Sequence, residues 1–409
     1  MIVGHCRTKF LPISEVFIEN QIFVSEKIKP IVLTRELENA HLTHEIKIFS
    51  FCDDRRTFHR TFYGTFFRLI KKMPKREGEY FGNVIRENKI QLLHVHFGTD
   101  AWYFMKLKKL ANIPMVVSFY GYDAYKFPKM FFGIGKILLK QVFKVADAII
   151  VPSLHMKEHL VGLGCDVSKI QVIPWGTEPI THPKSFDGTS NSELITHDER
   201  YMKRNIEHEI HSIRHTGSVR FISLGRMVEK KGQIYLLEAF KRVLDSGVNA
   251  ELTIIGQGPL RNKLVGAIDK FGISAKVNLI DKLLNSEVMQ VLMSHNIYVQ
   301  PSVVSRNGDQ EGIPTAIMEA FACELPIIAT KHAGIPEIVE NNVSGILVPE
   351  RDSEKLAEAM IKLAKDTELC KQFGVNGKKI VNEKYNVNKQ NKKLCELYER
   401  EIDRFNSNI

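Results

Sequence analysis

Two glutamates, Glu311 and Glu319, enclose the segment Gly-Ile-Pro-Thr-Ala-Ile-Met, which has a composition suited to binding a charged ligand. Pro314 favours a helix that begins there, since proline is tolerated at the first helical position. Glu311 then lies in the preceding loop, and Glu319 lies roughly 7–8 Å further along the helix axis. The helix N-terminus between them favours a diphosphate, and Gly312 lets it approach the backbone. We expect a ligand with a sugar at one end and a ribose at the other. The alternative is one solvated glutamate and one loop glutamate.

A second candidate site follows the strand that the sequence predicts at Arg220–Leu224. Gly225 turns the chain, and Arg226 and Lys231 precede the next helix. Arginine can contact two phosphate oxygens at once and lysine supplies a compact charge, so this loop is a candidate anion site. A solvated basic loop is the alternative. The following strand ends in the turn Gly256-Gln257-Gly258, which resembles half of a dinucleotide-binding fingerprint.

Three polar segments in the first half of the chain fall at or just after the ends of predicted strands. They are Ser14-Glu15, His94-Val-His96-Phe-Gly98 and Tyr120-Gly-Tyr-Asp123. Open α/β sheets bind ligands at the carboxyl ends of their strands, so these segments are candidate ligand contacts. The alternative for His94 and His96 is a packed or hydrogen-bonded pair in the core.

The elements that must position these residues alternate between strand and helix. Apolar strands are predicted at 2–4, 31–33, 46–51, 91–97, 114–119 and 148–151, and the alternation restarts after residue 217. This pattern indicates parallel sheets with helices on both faces. We predict an N-terminal Rossmann-like domain (1–179), a polar linker (180–217), a second Rossmann-like domain (218–384) and a C-terminal amphipathic helix (385–409).

Charge and composition limit the classes of partner. The chain has 409 residues, 57 Lys and Arg against 47 Asp and Glu, and a net charge of +10. This favours anionic partners, but no nucleic-acid-binding motif accompanies the charge. The six scattered cysteines form no CxxC or metal-ligand spacing, which is typical of a reduced cytoplasmic protein. We expect no transmembrane helix, no signal peptide, no metal site and no cofactor.

The segment 301–350 resembles the donor-binding signature of retaining glycosyltransferases of the GT-B fold, in the large group 1 (GT4-like) family. The resemblance rests on matching residues spaced over fifty positions: Pro301-Ser302, Gly308-Asp309, Glu311-Gly312-Ile313-Pro314, Glu319-Ala320, Pro326, Gly334, Glu337 and Ser344-Gly345. The first half is similar to enzymes of capsule and exopolysaccharide assembly. The resemblance implies two Rossmann-like domains facing each other across a cleft, with the C-terminal helix packing back toward the N-terminal domain.

The resemblance also implies roles for individual residues. Glu311 would hold hydroxyls of the transferred sugar, and Glu319 would hold the ribose. Arg226 and Lys231 would stabilise the leaving diphosphate. The remaining donor-side residues would be Gly225, Gly256, Gly258, Gly312, Ile313, Pro314 and Thr315. On the first domain, Glu15, His94, His96 and Gly98 would face the acceptor. Tyr120 and Asp123 would be catalytic, with Tyr120 in place of the family's usual histidine.

Two stretches, 55–76 and 126–144, are rich in basic and aromatic residues and bear on where the acceptor is found. In the second, Lys136, Lys140 and Lys144 follow one helical face. Such helices dock on anionic membranes, although an amphipathic helix that covers the sheet is the alternative. We therefore expect a UDP- or GDP-sugar donor, a glycan or lipid-linked acceptor, and a cytoplasmic protein at the inner membrane face. A catalytically silent nucleotide-sugar-binding subunit, or an epimerase or phosphorylase of the same architecture, is the alternative.

Overall fold

The computed structural model describes residues 1–10, 18, 21–38, 46–51, 72–177, 217–281, 283 and 285–407. Residue contacts divide the chain into two compact units. Unit 1 comprises Met1–Gly176, Ser305–Ile313 and Tyr385–Ile409, and unit 2 comprises Thr177–Val304 and Pro314–Lys384. Only Gly217 of the predicted linker is among the described residues, so the domain limits and their roles stay predictions.

Unit 1 contains a parallel sheet with strand order β3-β2-β1-β4-β5-β6-β7. Its strands are β1 (Ile2–Phe10), β2 (Lys29–Leu37), β3 (Lys47–Ser50), β4 (Leu92–His96), β5 (Met115–Ser118), β6 (Ala148–Val151) and β7 (Ile170–Val172). Its helices are α1 (Lys75–Glu87), α2 (Gly98–Ala111), α3 (Ile134–Val145), α4 (Leu154–Gly162) and, from the far end of the chain, α12 (Val387–Asn406).

The sheet of unit 1 is covered on both faces, which explains why its central strands are apolar along their whole length. Every residue of β4, β5 and β6 is buried. One core cluster includes Phe81 of α1 and Phe104 of α2. A second core cluster contains Val3 of β1, Leu92 of β4, and Leu394, Leu397 and Tyr398 of α12. The side chain of Asn386 begins α12 by accepting the backbone N–H groups of Asn388 and Lys389.

Unit 2 contains a second parallel sheet with the order β10-β9-β8-β11-β12-β13. Its strands are β8 (Val219–Leu224), β9 (Ala250–Ile255), β10 (Val277–Ile280), β11 (Ile297–Gln300), β12 (Ile327–Thr330) and β13 (Gly345–Val348). Its helices are α5 (Gln233–Asp245), α6 (Arg261–Phe271), α7 (Asn285–Met293), α8 (Thr315–Ala322), α9 (Ile335–Ile338), α10 (Ser353–Lys365) and α11 (Thr367–Lys384). This is the Rossmann strand order, in which the order reverses between β8 and β11.

The two parallel α/β sheets confirm the predicted fold class, and most predicted strands agree with the structure within one or two residues at each end. The strands predicted at 2–4 and 31–33 extend further, to Phe10 and Leu37. The start of one helix also differs. The sequence places Pro314 as the first helical residue, whereas α8 begins at Thr315 and Pro314 precedes it in an extended conformation (φ −65°, ψ 123°). The sequence also predicts a helix from Ser14 to about Ile28. Among its described residues, Ile18, Gln21 and Ile22 are helical but 23–28 are not, so the predicted end of this helix is wrong. Within the described part of the chain, no helix is long and apolar enough to cross a membrane.

Candidate functional site

The loop after β8 lies where the strand order of unit 2 reverses, the place where open parallel sheets bind ligands. Arg226 is exposed on this loop, and Lys231 is partly buried. The lysine side chain lies against Gly225, since a Cβ atom at position 225 would be 2.7 Å from Cε of Lys231. The structure therefore brings the two predicted diphosphate ligands onto one loop at the switch point of unit 2.

The turn Gly256–Gly258 packs directly on this loop. A Cβ atom at position 256 would lie 2.2 Å from the carbonyl oxygen of Gly225, and one at position 258 would lie 2.4 Å from that of Met227. The N–H of Met227 also donates to the carbonyl of Gln257 at 2.8 Å. Close backbone approach thus requires both glycines. Their position beneath a nucleotide stays a prediction.

Helix α8 presents the second glutamate of the sequence motif. Pro314 provides no side-chain cap, Thr315 is partly buried in the first turn, and Glu319 lies in the second turn. Burial raises the pKa of the Glu319 carboxyl to about 7, although the charge of Lys231 acts in the opposite direction. Glu319 therefore changes its charge near neutral pH, and Lys231 acts on it electrostatically within unit 2.

A group of residues just after β13 fixes the backbone that follows β11, and no local pattern in the sequence indicates it. The Glu350 carboxylate accepts the N–H of Val304 at 2.8 Å and contacts Nδ1 of His332 at 2.6 Å. The Arg351 guanidinium donates to the carbonyl of Val304. The N–H and the carbonyl group of Val304 are thus both hydrogen-bonded. This residue directly precedes the loop that contains Glu311.

That loop, Ser305–Ile313, belongs by its contacts to unit 1, although the sequence places it inside the predicted domain 218–384. Gly312 packs closely against other residues of unit 1. A Cβ atom at position 312 would be 3.1 Å from Pro152 and 3.2 Å from the carbonyl oxygen of Tyr120. Ile313 and Glu311 are buried, with 2% and 8% of their surfaces exposed. The two glutamates of the motif therefore belong to different units.

Asp123 lies at the centre of a backbone network in unit 1. Its Oδ2 accepts the N–H of Gly98 at 2.8 Å, and its Oδ1 accepts the N–H groups of Tyr120 and Gly121, each at 3.0 Å. Burial raises the pKa of Asp123, and the backbone N–H groups oppose that rise. The carboxylate joins the segments His94–Gly98 and Tyr120–Asp123, which the sequence indicates as two separate candidates.

The two histidines of the first of these segments are fully buried. Nδ1 of His96 lies 2.7 Å from the hydroxyl of Tyr120, which itself donates to Gln21 at 2.6 Å. Nε2 of His94 lies 2.7 Å from Oγ of Ser118. Both histidines show 0% exposure, which agrees with the core-pair alternative. Their place on the acceptor side stays a prediction. Because both rings are buried, they would have to act on an acceptor through neighbours such as Tyr120. Glu15 lies outside the described residues.

Arg7 and Asp100 form a pair at the carboxyl end of β1 that the sequence did not indicate. Their side chains meet at 2.6 Å, and Asp100 also accepts the N–H of Thr8 at 2.7 Å. The Arg7 guanidinium lies 4.2 Å from the centre of the Phe97 ring. Phe97 itself has a positive φ of 76°, which is uncommon for a non-glycine residue. These contacts fix the turn between β4 and α2.

Comparison with known structures agrees with the class that the two sheets define, the GT-B glycosyltransferases. Anabaena HepE in complex with UDP has a TM-score of 0.76 at 16% identity, with 98% of this chain and 99% of that chain covered. Sucrose-phosphate synthase from Thermosynechococcus elongatus has a TM-score of 0.77 at 16% identity, with 98% of both chains covered. At these identities the likeness establishes the fold.

The sequence comparisons identify the family. Residues 205–380 match the family described as "Glycosyl transferases group 1", and residues 26–179 match "Glycosyltransferase Family 4". The chain therefore belongs to the group 1 (GT4-like) family of glycosyltransferases.

Two curated relatives illustrate the likeness. AmsK of Erwinia amylovora, an amylovoran biosynthesis glycosyltransferase, is 29% identical over 319 residues, which cover 75% of this chain and 69% of AmsK. WcaL of Escherichia coli, a putative colanic acid biosynthesis glycosyltransferase, is 33% identical over 180 residues, 44% of each protein.

Proposed function

We propose that this protein transfers a sugar from a nucleoside diphosphate donor to a glycan or lipid-linked acceptor, with retention of the anomeric configuration. The observation that carries the proposal is the placement of Arg226 and Lys231 on one loop at the switch point of unit 2. Two cations at this position suit a diphosphate, which is the group that leaves during glycosyl transfer.

Charge stabilisation is the main contribution that we assign to this loop. When the glycosidic bond to the diphosphate breaks, negative charge grows on the departing phosphate oxygens. Arg226, Lys231 and the N–H groups at the start of α8 stabilise that charge, and such preorganised electrostatic groups usually provide the largest share of catalysis. Glu319 accepts hydrogen bonds from ribose hydroxyls, and Glu311 holds hydroxyls of the transferred sugar.

Acceptor recognition is assigned to unit 1. The backbone network around Asp123 holds the segment that contains Tyr120, and we place the acceptor side there together with Glu15 and the His94–Gly98 segment. The names of two relatives, amylovoran and colanic acid biosynthesis enzymes, support a role in surface polysaccharide assembly. A third relative, 24% identical over 350 residues, is a galactosyltransferase that uses a sugar on diphosphoundecaprenol. This supports a lipid-linked acceptor.

The face of α3 supports peripheral contact with a membrane. Lys136, Lys140 and Lys144 are exposed, Ile137 is 61% exposed, and Phe132 just before the helix is fully exposed. Cations around protruding apolar side chains suit an anionic bilayer, to which each basic residue near the surface adds about 1 kcal/mol. Most of the other predicted basic stretch, 55–76, lies outside the described residues.

A donor screen tests the proposed activity. The protein is incubated with UDP- and GDP-sugars, with and without lipid-diphosphate-linked acceptors, and released nucleoside diphosphate is measured. We expect acceptor-dependent release with one donor, and NMR of the product should show the anomeric configuration of the donor. Donor binding without turnover would favour the silent-subunit alternative. Conversion of the donor without acceptor would favour an epimerase.

A further inference from the structure

Three buried histidines meet in unit 1, on the neighbouring strands β1 and β4. His5 and His94 are register partners in these neighbouring strands, and His96 follows two residues later on the same face of the sheet. One ligand nitrogen from each residue lies within 4.8 Å of the other two. Pairing of the strands therefore gathers three imidazoles that are far apart in the sequence.

Neighbouring hydroxyl groups orient two of these rings. Nδ1 of His94 lies 2.6 Å from the hydroxyl of Tyr398 in α12, and Nδ1 of His96 lies 2.7 Å from that of Tyr120. In metal sites, the second nitrogen of a ligating histidine forms this kind of hydrogen bond, which sets the tautomer and directs the first nitrogen at the ion. Nε2 of His96 then faces His5, and Nε2 of His94 lies 2.7 Å from Oγ of Ser118, a contact that an ion bound by this nitrogen would replace.

The spacing of the third histidine also fits coordination. Nδ1 of His5 lies 3.1 Å from Nε2 of His96. Two nitrogen ligands of a tetrahedral zinc ion are about 3.3 Å apart, given Zn–N distances of about 2.0–2.1 Å. Burial lowers the pKa of His5 to about 3 and also lowers the pKa values of His94 and His96, so the rings are neutral at physiological pH. Neutral imidazole is the form that binds metal.

Hydrogen bonds among the described residues do not complete this cluster. The Tyr120 hydroxyl donates to Gln21, so Nδ1 of His96 donates to Tyr120 and Nε2 of His96 accepts from Nδ1 of His5. Nε2 of His5 is then a buried atom with no hydrogen-bond partner in the part of the chain that the structure describes. Such an atom is destabilising. The cluster therefore contains one imidazole nitrogen that hydrogen bonds among the described residues do not satisfy, whether or not an ion is bound through Nδ1 of His5.

We propose that His5, His94 and His96 form a binding site for a divalent transition-metal ion of the zinc class. Imidazole ligands suit zinc and cobalt, whereas magnesium and calcium prefer oxygen. The ion would connect β1 to β4 and, through the hydroxyl of Tyr398, to α12. Its role is structural, and it takes no part in the proposed charge stabilisation by Arg226 and Lys231.

Metal analysis of protein without a polyhistidine tag tests the proposal. After growth with added zinc and extensive dialysis, we expect about one zinc per chain. After removal of zinc by a chelator, cobalt titration should produce the visible absorption bands of a four-coordinate ion. The melting temperature should rise with free zinc, since an ion that binds only the folded state stabilises it.

Two variants and a control make the test specific. His5→Ala should abolish zinc and cobalt binding, whereas His155→Asn, which alters another histidine of unit 1 hydrogen-bonded to a tyrosine (Tyr125), should retain both. If His5→Ala fails to fold, Tyr398→Phe serves instead, because it keeps all three ligands and should weaken cobalt affinity about 10–100-fold. The proposal would be overturned if the wild-type protein contained no zinc and showed no cobalt absorption bands. Equal affinity in wild type and either cluster variant would also overturn it.

Discussion

The Asp123 carboxylate accepts the backbone N–H of Gly98 at 2.8 Å and thereby joins two loops that follow different strands. Its other oxygen accepts the N–H groups of Tyr120 and Gly121. Both oxygens are thus occupied by the backbone. In this arrangement Asp123 determines where Tyr120 lies, which is a positioning role.

The first prediction concerns Asp123→Asn. The amide NH₂ replaces one accepting oxygen and faces N–H donors, so we expect the free energy of unfolding to fall by about 3 kcal/mol. Denaturation measurements test this. Asp166→Asn, at an exposed turn, is the control and should change stability by less than about 1 kcal/mol. If Asp123→Asn were fully stable yet inactive, the residue would act on the substrate directly.

The second prediction concerns Arg226. Arg226→Ala should reduce kcat by about two to three orders of magnitude, because it removes one charge that stabilises the departing diphosphate. Arg242→Ala, on the exposed surface of α5, removes the same charge elsewhere in unit 2 and should leave kcat nearly unchanged. Steady-state kinetics with the donor found by the screen measure both. Equal activity of the two variants would remove Arg226 from the mechanism.

The third prediction is a pH dependence of nucleotide binding. Burial raises the pKa of Glu319 to about 7 from an ordinary value of 4.5, so the carboxyl is mostly protonated at pH 6 and mostly ionised at pH 8. Only the ionised form is a charged acceptor for ribose hydroxyls. Affinity for free UDP or GDP should therefore increase as pH rises through about 7. Calorimetric titrations from pH 5.5 to 8.5 measure it.

Glu319→Gln is the matched variant for that experiment, because it keeps the shape of the side chain and removes the titration. Its nucleotide affinity should vary less with pH than that of the wild type. The ligand-free wild type should also lose stability as pH rises from about 4.5 to about 7, because the unfolded carboxyl releases its proton in this range while the folded one keeps it, and the loss should level off above about 7. An identical pH profile for both proteins would refute the role of Glu319.

The fourth prediction separates the two glutamates. Glu319→Gln should weaken free nucleotide and the whole donor alike, by about 1.5–3 kcal/mol at a pH where the wild-type carboxyl is ionised. Glu311→Gln should weaken only the sugar-bearing donor. Titration of both variants with nucleoside diphosphate and then with the matching donor measures the difference. Equal loss of free-nucleotide affinity in both variants would show that the assignment of the two ends is wrong.

The fifth prediction concerns the membrane. Binding to liposomes should require anionic lipid and weaken with salt, because charges are screened over about 8 Å at 0.15 M ionic strength. Replacing Lys136, Lys140 and Lys144 by Gln should release the protein from vesicles without changing donor affinity. Replacing the exposed Lys362, Lys365 and Lys379 of unit 2 removes equal charge and should have little effect. Equal binding of both triple variants would contradict the proposal.

The elements of this fold could be predicted from the sequence because parallel strands buried on both faces are continuous apolar runs. The strand Ala148–Val151 was predicted at the observed residues for this reason. Arg226 and Lys231 could also be identified, since a glycine turn at a strand end is a local pattern.

The contacts that hold the site could not be predicted in the same way. Arg7 meets Asp100, and Glu350 holds Val304, only after strands distant in sequence lie side by side. A single charged residue in a strand or loop has no local pattern that names its partner. Similarly, His94 contacts Tyr398 of helix α12, which lies about 300 residues further along the chain.

Helix α12 has a consequence for the synthesis of the protein. Its Leu394 and Leu397 belong to the same core as Val3 and Leu92, yet all of unit 2 is translated between the sheet and this helix. At about 5–20 residues per second, the first sheet waits roughly 10–45 s on the ribosome for its covering helix. During that interval one apolar face of the nascent sheet is open to solvent. A chaperone that binds apolar segments should therefore associate with ribosome-bound chains that end before Val387 and dissociate once α12 has emerged.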